Sequence, residues 1–202
     1  LNKQREVVYE LRKLILAGGD STKPLILDIV REQIQMMVEN FASTKNTTDW
    51  ERAPIEESVI ALFNNSLGIN ETFWQTTGSA KELEDKLISA ATALYESRER
   101  GMGPEILRQL EQMVYLGSID QLWKDHLLNM DHLKEGVGLR GYGQKDPLVE
   151  YKKEGFTLFK MMDEQVKTDV LSKLYRVEVT PETQIEEIQP KKPQAPMTFL
   201  HG

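Results

Sequence analysis

The chain has 202 residues, a formal net charge of −7 and no cysteine. Without thiols it can form no disulfide, thiol nucleophile or cysteine-ligated zinc site, and its negative charge argues against a nucleic-acid partner. No apolar run approaches the roughly 18 residues that a membrane span needs, and the polar residues 1–6 do not resemble a signal peptide. Because the first residue is Leu1 rather than Met, we expect a segment of a longer protein.

Apolar residues recur at spacings of three and four in the first hundred residues, which predicts helices rather than strands. Gly18 and Gly19 end the first predicted helix, because glycine tolerates the left-handed conformation of many helix ends. Ser79 and Glu82 form a capping box that begins the fourth. Trp50 is the expected anchor of the polar segment 43–53. The four predicted helices cover about 1–17, 24–41, 54–68 and 80–100.

Two longer helices are predicted over about 105–135 and 147–177, each roughly 45 Å long. The connection between them is short, so they should pack as an antiparallel hairpin. Asp146 can cap the second helix, and Pro147 suits its first position. The predicted buried stripes are Ile106, Leu110, Met113, Leu116, Ile119, Trp123, Leu127, Met130 and Leu133 in the first helix, and Leu148, Tyr151, Phe156, Phe159, Met162, Val166, Val170 and Leu174 in the second.

Residues 136–141 match the glycine pattern G-x-G-x-x-G. A dinucleotide site needs a strand before that pattern and a helix directly after it, whereas here a long helix precedes it. We therefore interpret the segment as a flexible turn, and keep nucleotide binding as an enzymatic alternative. His126 and His132 are six residues apart, so on a helix their rings point in different directions and no metal site is predicted. No catalytic constellation is apparent.

Tyr142 stands between Gly141 and Gly143, at the expected apex of the hairpin, with Arg140 and Lys145 on either side. A tyrosine ring can bury itself against many different side chains while its hydroxyl stays hydrogen-bonded. This arrangement suits a contact whose partner varies in sequence. The alternative is that Tyr142 folds back onto the hairpin, and the residues alone do not decide between the two.

Several stretches of the chain resemble the SecA family of preprotein export motors. They are residues 119–127 (IDQLWKDHL), 129–133 (NMDHL), 139–147 (LRGYGQKDP) and 150–154 (EYKKE). Residues 2–7 (NKQREV) resemble the SecA helix that precedes the wing. We extend the resemblance to residues 1–177, although residues 18–100 match in length and helical character more than in motifs.

The resemblance implies an all-α fold: a long antiparallel hairpin, the two-helix finger, packed with an N-terminal scaffold helix, and an inserted small helical wing. The implied parts are the end of the scaffold helix (1–17), the helical wing (18–103), the scaffold with its two-helix finger (104–179) and a flexible linker (180–202). The motor domains, which would hold ATP and Mg²⁺, should lie upstream, so no cofactor is expected in this chain.

In function, the resemblance implies a part of the ATP-driven protein translocase that is not catalytic alone. The finger tip would contact the unfolded preprotein and the SecYEG channel, while the scaffold would pack on the motor domains and regulate them. The protein would be cytoplasmic and peripherally attached to the inner face of the plasma membrane. The implied contact residues are Tyr142, Arg140, Gly141, Gly143, Gln144 and Lys145.

The sequence departs from the SecA pattern in two ways. Gly143 stands where alanine is expected, which should loosen the tip. The chain has no cysteine, so the cysteine-rich zinc motif that ends many SecA tails is absent or was cut off, and no metal is inferred from His201-Gly202. A different class of protein, a free-standing helical adaptor or prefoldin-like chaperone, is the alternative. Uncovered apolar stripes should also make the isolated chain self-associate.

Overall fold

A computed structural model describes residues 1–140 and 146–178, apart from the side chain of Arg140. Within these residues the chain forms helices and short 3-10 turns and contains no β-strand, which confirms the all-α prediction. The helices are α1 (Asn2–Leu16), α2 (Thr22–Phe41), α3 (Arg52–Phe63), α4 (Glu71–Gln75), α5 (Ala80–Met102), α6 (Pro104–Arg140) and α7 (Pro147–Arg176).

Helices α6 and α7 form the predicted antiparallel hairpin. Ser118 donates a hydrogen bond to Asp169 (2.6 Å) near its base, and Met130 packs on Gly155 further out. With 37 and 30 residues, the helices are about 55 and 45 Å long. The predicted cap is also present, because the Asp146 carboxylate accepts a hydrogen bond from the backbone N–H of Leu148 (2.9 Å).

Residues 136–140 of the glycine pattern do not form the flexible turn that we predicted, because α6 continues through Gly136 and Gly138 to Arg140, and Gly141 lies outside the described residues. A glycine inside a helix costs about 1 kcal/mol relative to alanine. Val137, between the two glycines, is only 3 % exposed, so burial in the hairpin offsets that cost. Gly136 and Gly138 therefore lie near the carboxyl end of a helix, whereas a dinucleotide site would place them before a helix amino terminus.

The third predicted helix is shorter than expected and is followed by another helix that we did not predict. α3 ends at Phe63 because Asn64 adopts a left-handed conformation, with φ of 49°. The five-residue α4 is too short to show a helical period; Asn70 caps it by accepting a hydrogen bond from the N–H of Phe73 (2.9 Å). Ser79 caps α5 as predicted, and Trp50 is buried and bonded to the Thr44 carbonyl.

One hydrophobic core runs through the bundle, and both the predicted wing and the predicted finger contribute to it. Helix α2 packs on α5, α6 and α7. Three residues of the predicted stripes are exposed instead, namely Met113 (64 %), Leu148 (58 %) and Phe156 (61 %). In α6 the buried face is turned toward Leu107 and Val114, one position further along, because α2 and α7 cover that side. The domain boundaries at residues 18, 104 and 180 stay a prediction.

Candidate functional site

The six predicted contact residues fall on the connection between α6 and α7. Arg140 is the last residue of α6, and its side chain lies outside the described part of the chain, as do Gly141, Tyr142, Gly143, Gln144 and Lys145. The described helices fix the register around them: the pairs 130/155 and 118/169 each have a midpoint between residues 142 and 144. The hairpin is therefore centred on the segment that sequence reasoning selected.

Apolar side chains are exposed on both helices beside this connection. Leu139 is 76 % exposed near the end of α6, and Leu148 and Val149 are more than half exposed in the first turn of α7. Sequence reasoning placed Leu148 in a buried stripe and did not consider the other two. The apolar period of α7 was extended to its first turn, but at the end of the hairpin Leu148 is not covered by a facing helix. The outer end of the hairpin thus presents apolar surface.

Halfway along the hairpin, α1 is joined to both of its helices through Gln4. The Gln4 side-chain Nε2 donates to the backbone carbonyl of Gly155 in α7 (3.0 Å), and its Oε1 lies 2.9 Å from Nε2 of His126 in α6. His126 is 2 % exposed, whereas His132 is exposed, in agreement with rings that point in different directions. The motif IDQLWKDHL therefore includes a buried polar contact that sequence reasoning read as an ordinary helix position.

The buried state of His126 predicts acid sensitivity. Burial lowers the pKa of His126, and the positive amino terminus of the chain adds to the effect. Below about pH 6.5 the His126 ring therefore binds a proton in the unfolded chain but not in the folded chain. The free energy of unfolding should consequently fall as the pH drops below this value, by at most about 1.4 kcal/mol per pH unit. Urea unfolding between pH 7.5 and 5 measures this dependence. His126→Gln should flatten it and the exposed His132→Gln should not; equal curves for both would contradict the assignment.

A buried cluster of polar side chains holds the base of the hairpin to the preceding helices. Its centre is Glu111 of α6, which is fully buried. The Glu111 carboxylate accepts hydrogen bonds from the Thr22 hydroxyl (2.6 Å) at the start of α2 and from the Tyr95 hydroxyl of α5. Arg108, one turn earlier in α6, is paired with the same carboxylate (3.2 Å). Three helices thus meet on one acid.

The cluster extends to the surface through a second acid, Glu99 of α5. Glu99 pairs with Arg108 of the next helix, α6, at 2.5 Å and with Lys23 of α2, 76 positions away in sequence, at 2.6 Å. Burial raises the pKa of Glu111, against the hydrogen bonds from Thr22 and Tyr95 and the charge of Arg108. The pKa of Glu99 is instead lowered, chiefly by its hydrogen bond to Lys23 and further by the positive charges of Arg108 and Lys23.

Arginine side chains hold the carboxyl end of α7, at the base of the hairpin. Arg98 of α5 donates hydrogen bonds to the carbonyls of Leu174 (2.9 Å) and Val177 (2.6 Å), which would otherwise lack partners at the end of α7. Its guanidinium also lies over the ring of Tyr175, 5.6 Å from the centroid. Arg176 reaches the carbonyl of Ala61 in α3 (3.0 Å). At the base of the hairpin, the first turns of α6 and the last turn of α7 are therefore both fixed to the helices of residues 18–103.

A family model described as the SecA Wing and Scaffold domain matches residues 1–178. The chain belongs to the SecA family. The match covers every helix described above, including the hairpin and the cluster at its base. It confirms the resemblance that the sequence motifs indicated, and extends it across residues 18–100, where motifs were few.

Three similar SecA proteins are each described as protein translocase subunit SecA. The one from Syntrophobacter fumaroxidans is 39 % identical over 202 residues, 98 % of this chain and 24 % of its own length. Those from Syntrophus aciditrophicus and Thermodesulfovibrio yellowstonii are 38 % and 36 % identical over 96 % of this chain, and 23 % and 21 % of their own lengths. The chain thus spans about a quarter of these SecA relatives. None of its described helices is both long and apolar enough to cross a bilayer.

Proposed function

We propose that this chain is the wing and scaffold part of an ATP-driven SecA translocase, and that its hairpin presents Tyr142 to the polypeptide being exported. Arg140, Gly141, Gly143, Gln144 and Lys145 would form the rest of the contact, at the cytoplasmic mouth of the SecYEG channel. The proposal places the protein in the cytoplasm, peripherally attached to the inner face of the membrane. The ATP and Mg²⁺ would be held by motor domains outside this chain.

The observation that carries the proposal is the geometry of the hairpin. Two antiparallel helices bury a shared seam that includes Met130, Val137 and Gly155. Their register is centred on residues 142–144. A paired rod of about 50 Å is stiff enough to act as a lever. Apolar residues exposed beside its outer end, such as Leu139 and Val149, suit contact with a polypeptide of variable sequence.

A second group of exposed apolar residues supports the proposed contact with the motor domains. It lies on α1, where Val7 and Leu14 on one side of the helix and Tyr9 and Leu16 on the opposite side are each between 46 and 57 % exposed. Single exposed apolar residues are common on protein surfaces, but four on one short helix indicate a surface that contacts another part of a protein. We assign it to the motor domains. The same exposure supports the expected self-association of the chain when it is studied alone.

Photo-crosslinking in the intact protein tests the proposed contact. A benzoylphenylalanine at position 142 should crosslink to a preprotein stalled in the channel in the presence of ATP. The matched control is the same residue at Met113, which is 64 % exposed in α6 but roughly 40 Å nearer the base of the hairpin. Crosslinks of equal yield at the two positions, or at neither, would contradict the proposal.

A further inference from the structure

The amide of Gln4 spans the two helices of the hairpin from outside. Its Nε2 donates to the Gly155 carbonyl (3.0 Å), and its Oε1 faces the ring Nε2 of His126 (2.9 Å). The three residues come from α1, α6 and α7, and Gln4 and Gly155 are 151 positions apart in sequence. One side chain therefore fixes α1 to both arms of the hairpin at a single level.

Gly155 makes this arrangement possible. It is buried in the outer third of α7, and a Cβ at this position would lie 2.8 Å from Cε and 3.3 Å from Sδ of Met130. The two hairpin helices therefore approach closely here. A carbonyl oxygen has two lone pairs, so Gly155 can accept from Gln4 while it takes part in its own helix.

The orientation of Gln4 determines the state of His126. Because the Gln4 Nε2 donates to Gly155, its Oε1 is the atom that faces His126, and the His126 Nε2 must carry a proton and donate it. The ring is packed between Trp123 (centroids 5.4 Å apart) and Phe159 (5.7 Å). Its Nδ1 is buried without a hydrogen-bond partner among the described residues, which fits a neutral ring.

Further along, α1 is fixed to α6 at two more levels. Arg12 pairs with Asp120, and Gln112 donates to the carbonyl of Ile15 (3.0 Å). These contacts hold α1 to the first arm of the hairpin. The Gln4 contact adds the second arm, at the point where the hairpin leaves the shared core, since Met130 and Val137, which are buried further out, do not belong to that core.

We infer that Gln4, His126 and Gly155 form a joint that makes α1 and the hairpin move as one rigid body. The inference rests on the proposed function, because only in a translocase does such a joint couple the upstream motor to the finger tip. The joint assigns a positioning role to residues that contact neither nucleotide nor preprotein. Loss of the Gln4 amide would remove the direct hydrogen bond from α1 to α7 without removing any apolar packing.

Distance measurements on this chain test the joint directly. The chain has no cysteine, so spin labels can be placed on cysteines introduced at the exposed positions Glu10 of α1 and Lys152 of α7. The parent, diluted with unlabelled chain so that self-association adds no distances between labelled molecules, should give one narrow distance distribution by electron–electron double resonance. Gln4→Leu should raise the fraction of molecules outside that distribution about tenfold, as expected when buried hydrogen bonds are lost. Gln109→Leu, the same change at an exposed site of α6, should have no effect.

An unchanged distribution in a folded Gln4→Leu chain would overturn the joint. If that variant loses its helical circular dichroism, Gln4→Asn takes its place, because it keeps the amide but is one methylene too short to reach both partners. In the intact translocase, Gln4→Leu should raise the ATP consumed per exported polypeptide with basal ATPase activity unchanged. The label experiment does not depend on transport, so it can fail while the crosslink at position 142 succeeds, and the reverse.

Discussion

Tyr142→Ala should lower the rate of preprotein export about tenfold or more in the intact protein, while the thermal unfolding of this chain stays unchanged. The proposed contact depends on an aromatic ring that packs against successive side chains of the moving polypeptide. Loss of one well-buried ring contact corresponds to at least ~1.4 kcal/mol, or a factor of ten. Export of a preprotein into membrane vesicles, quantified by protease protection, measures the effect.

Two aromatic variants and one control make this test specific. Tyr142→Phe and Tyr142→Trp should retain most of the export rate, because the ring and not the hydroxyl provides the contact. Phe156→Ala removes another exposed aromatic from the same hairpin, well away from the apex, and should leave export close to normal. If Tyr142→Ala exports at the parental rate, or if Phe156→Ala is equally impaired, the grip on the polypeptide does not involve Tyr142.

Glu111→Ala should lower the free energy of unfolding by about 3–5 kcal/mol, the usual cost of removing one partner from a buried ionic cluster. Alanine would leave the hydroxyls of Thr22 and Tyr95 without their acceptor. It would also leave the guanidinium of Arg108, 7 % exposed, paired with Glu99 alone. Urea titration followed by circular dichroism measures the change as a shift in midpoint at constant slope.

The control for this prediction is Glu135→Ala, an exposed glutamate on the same helix, which should change stability by less than about 0.5 kcal/mol. Glu111→Gln should cost less than alanine. Burial already raises the pKa of Glu111, so a neutral group is tolerated there, and the amide oxygen still accepts one hydrogen bond. Equal stability of Glu111→Ala and the parent would mean that the cluster does not hold the base of the hairpin.

The elements that the sequence predicted correctly are those decided by neighbouring residues. Ser79 and Asp146 cap their helices through bonds to residues two or three positions away, and the hairpin follows from two long apolar stripes and a short connection. Gly136 and Gly138 were misread because their local preference is for a turn. Burial of Val137 against the second arm, which no local pattern reveals, keeps the helix intact.

The polar contacts could not have been predicted in the same way. Gln4 and Gly155, or Thr22 and Glu111, are brought together by the fold, and each pair is unremarkable in its own segment. Two signals were nevertheless present. Gly155 interrupts an otherwise strong helical sequence, which often marks a close helix contact. Glu111 lies on the apolar side of α6, where an unpaired acid would be too costly to bury.

Residues 18–103 enter and leave the rest of the chain at nearly the same place. Gly18 lies beside Gln112, with Gln112 Nε2 3.5 Å from where its Cβ would be, and Lys23 pairs with Glu99 near the exit at Gly103. The buried core of this segment is nevertheless continuous with that of the hairpin. We therefore expect the two to unfold together as one cooperative unit, so that removing the segment should destabilise the hairpin.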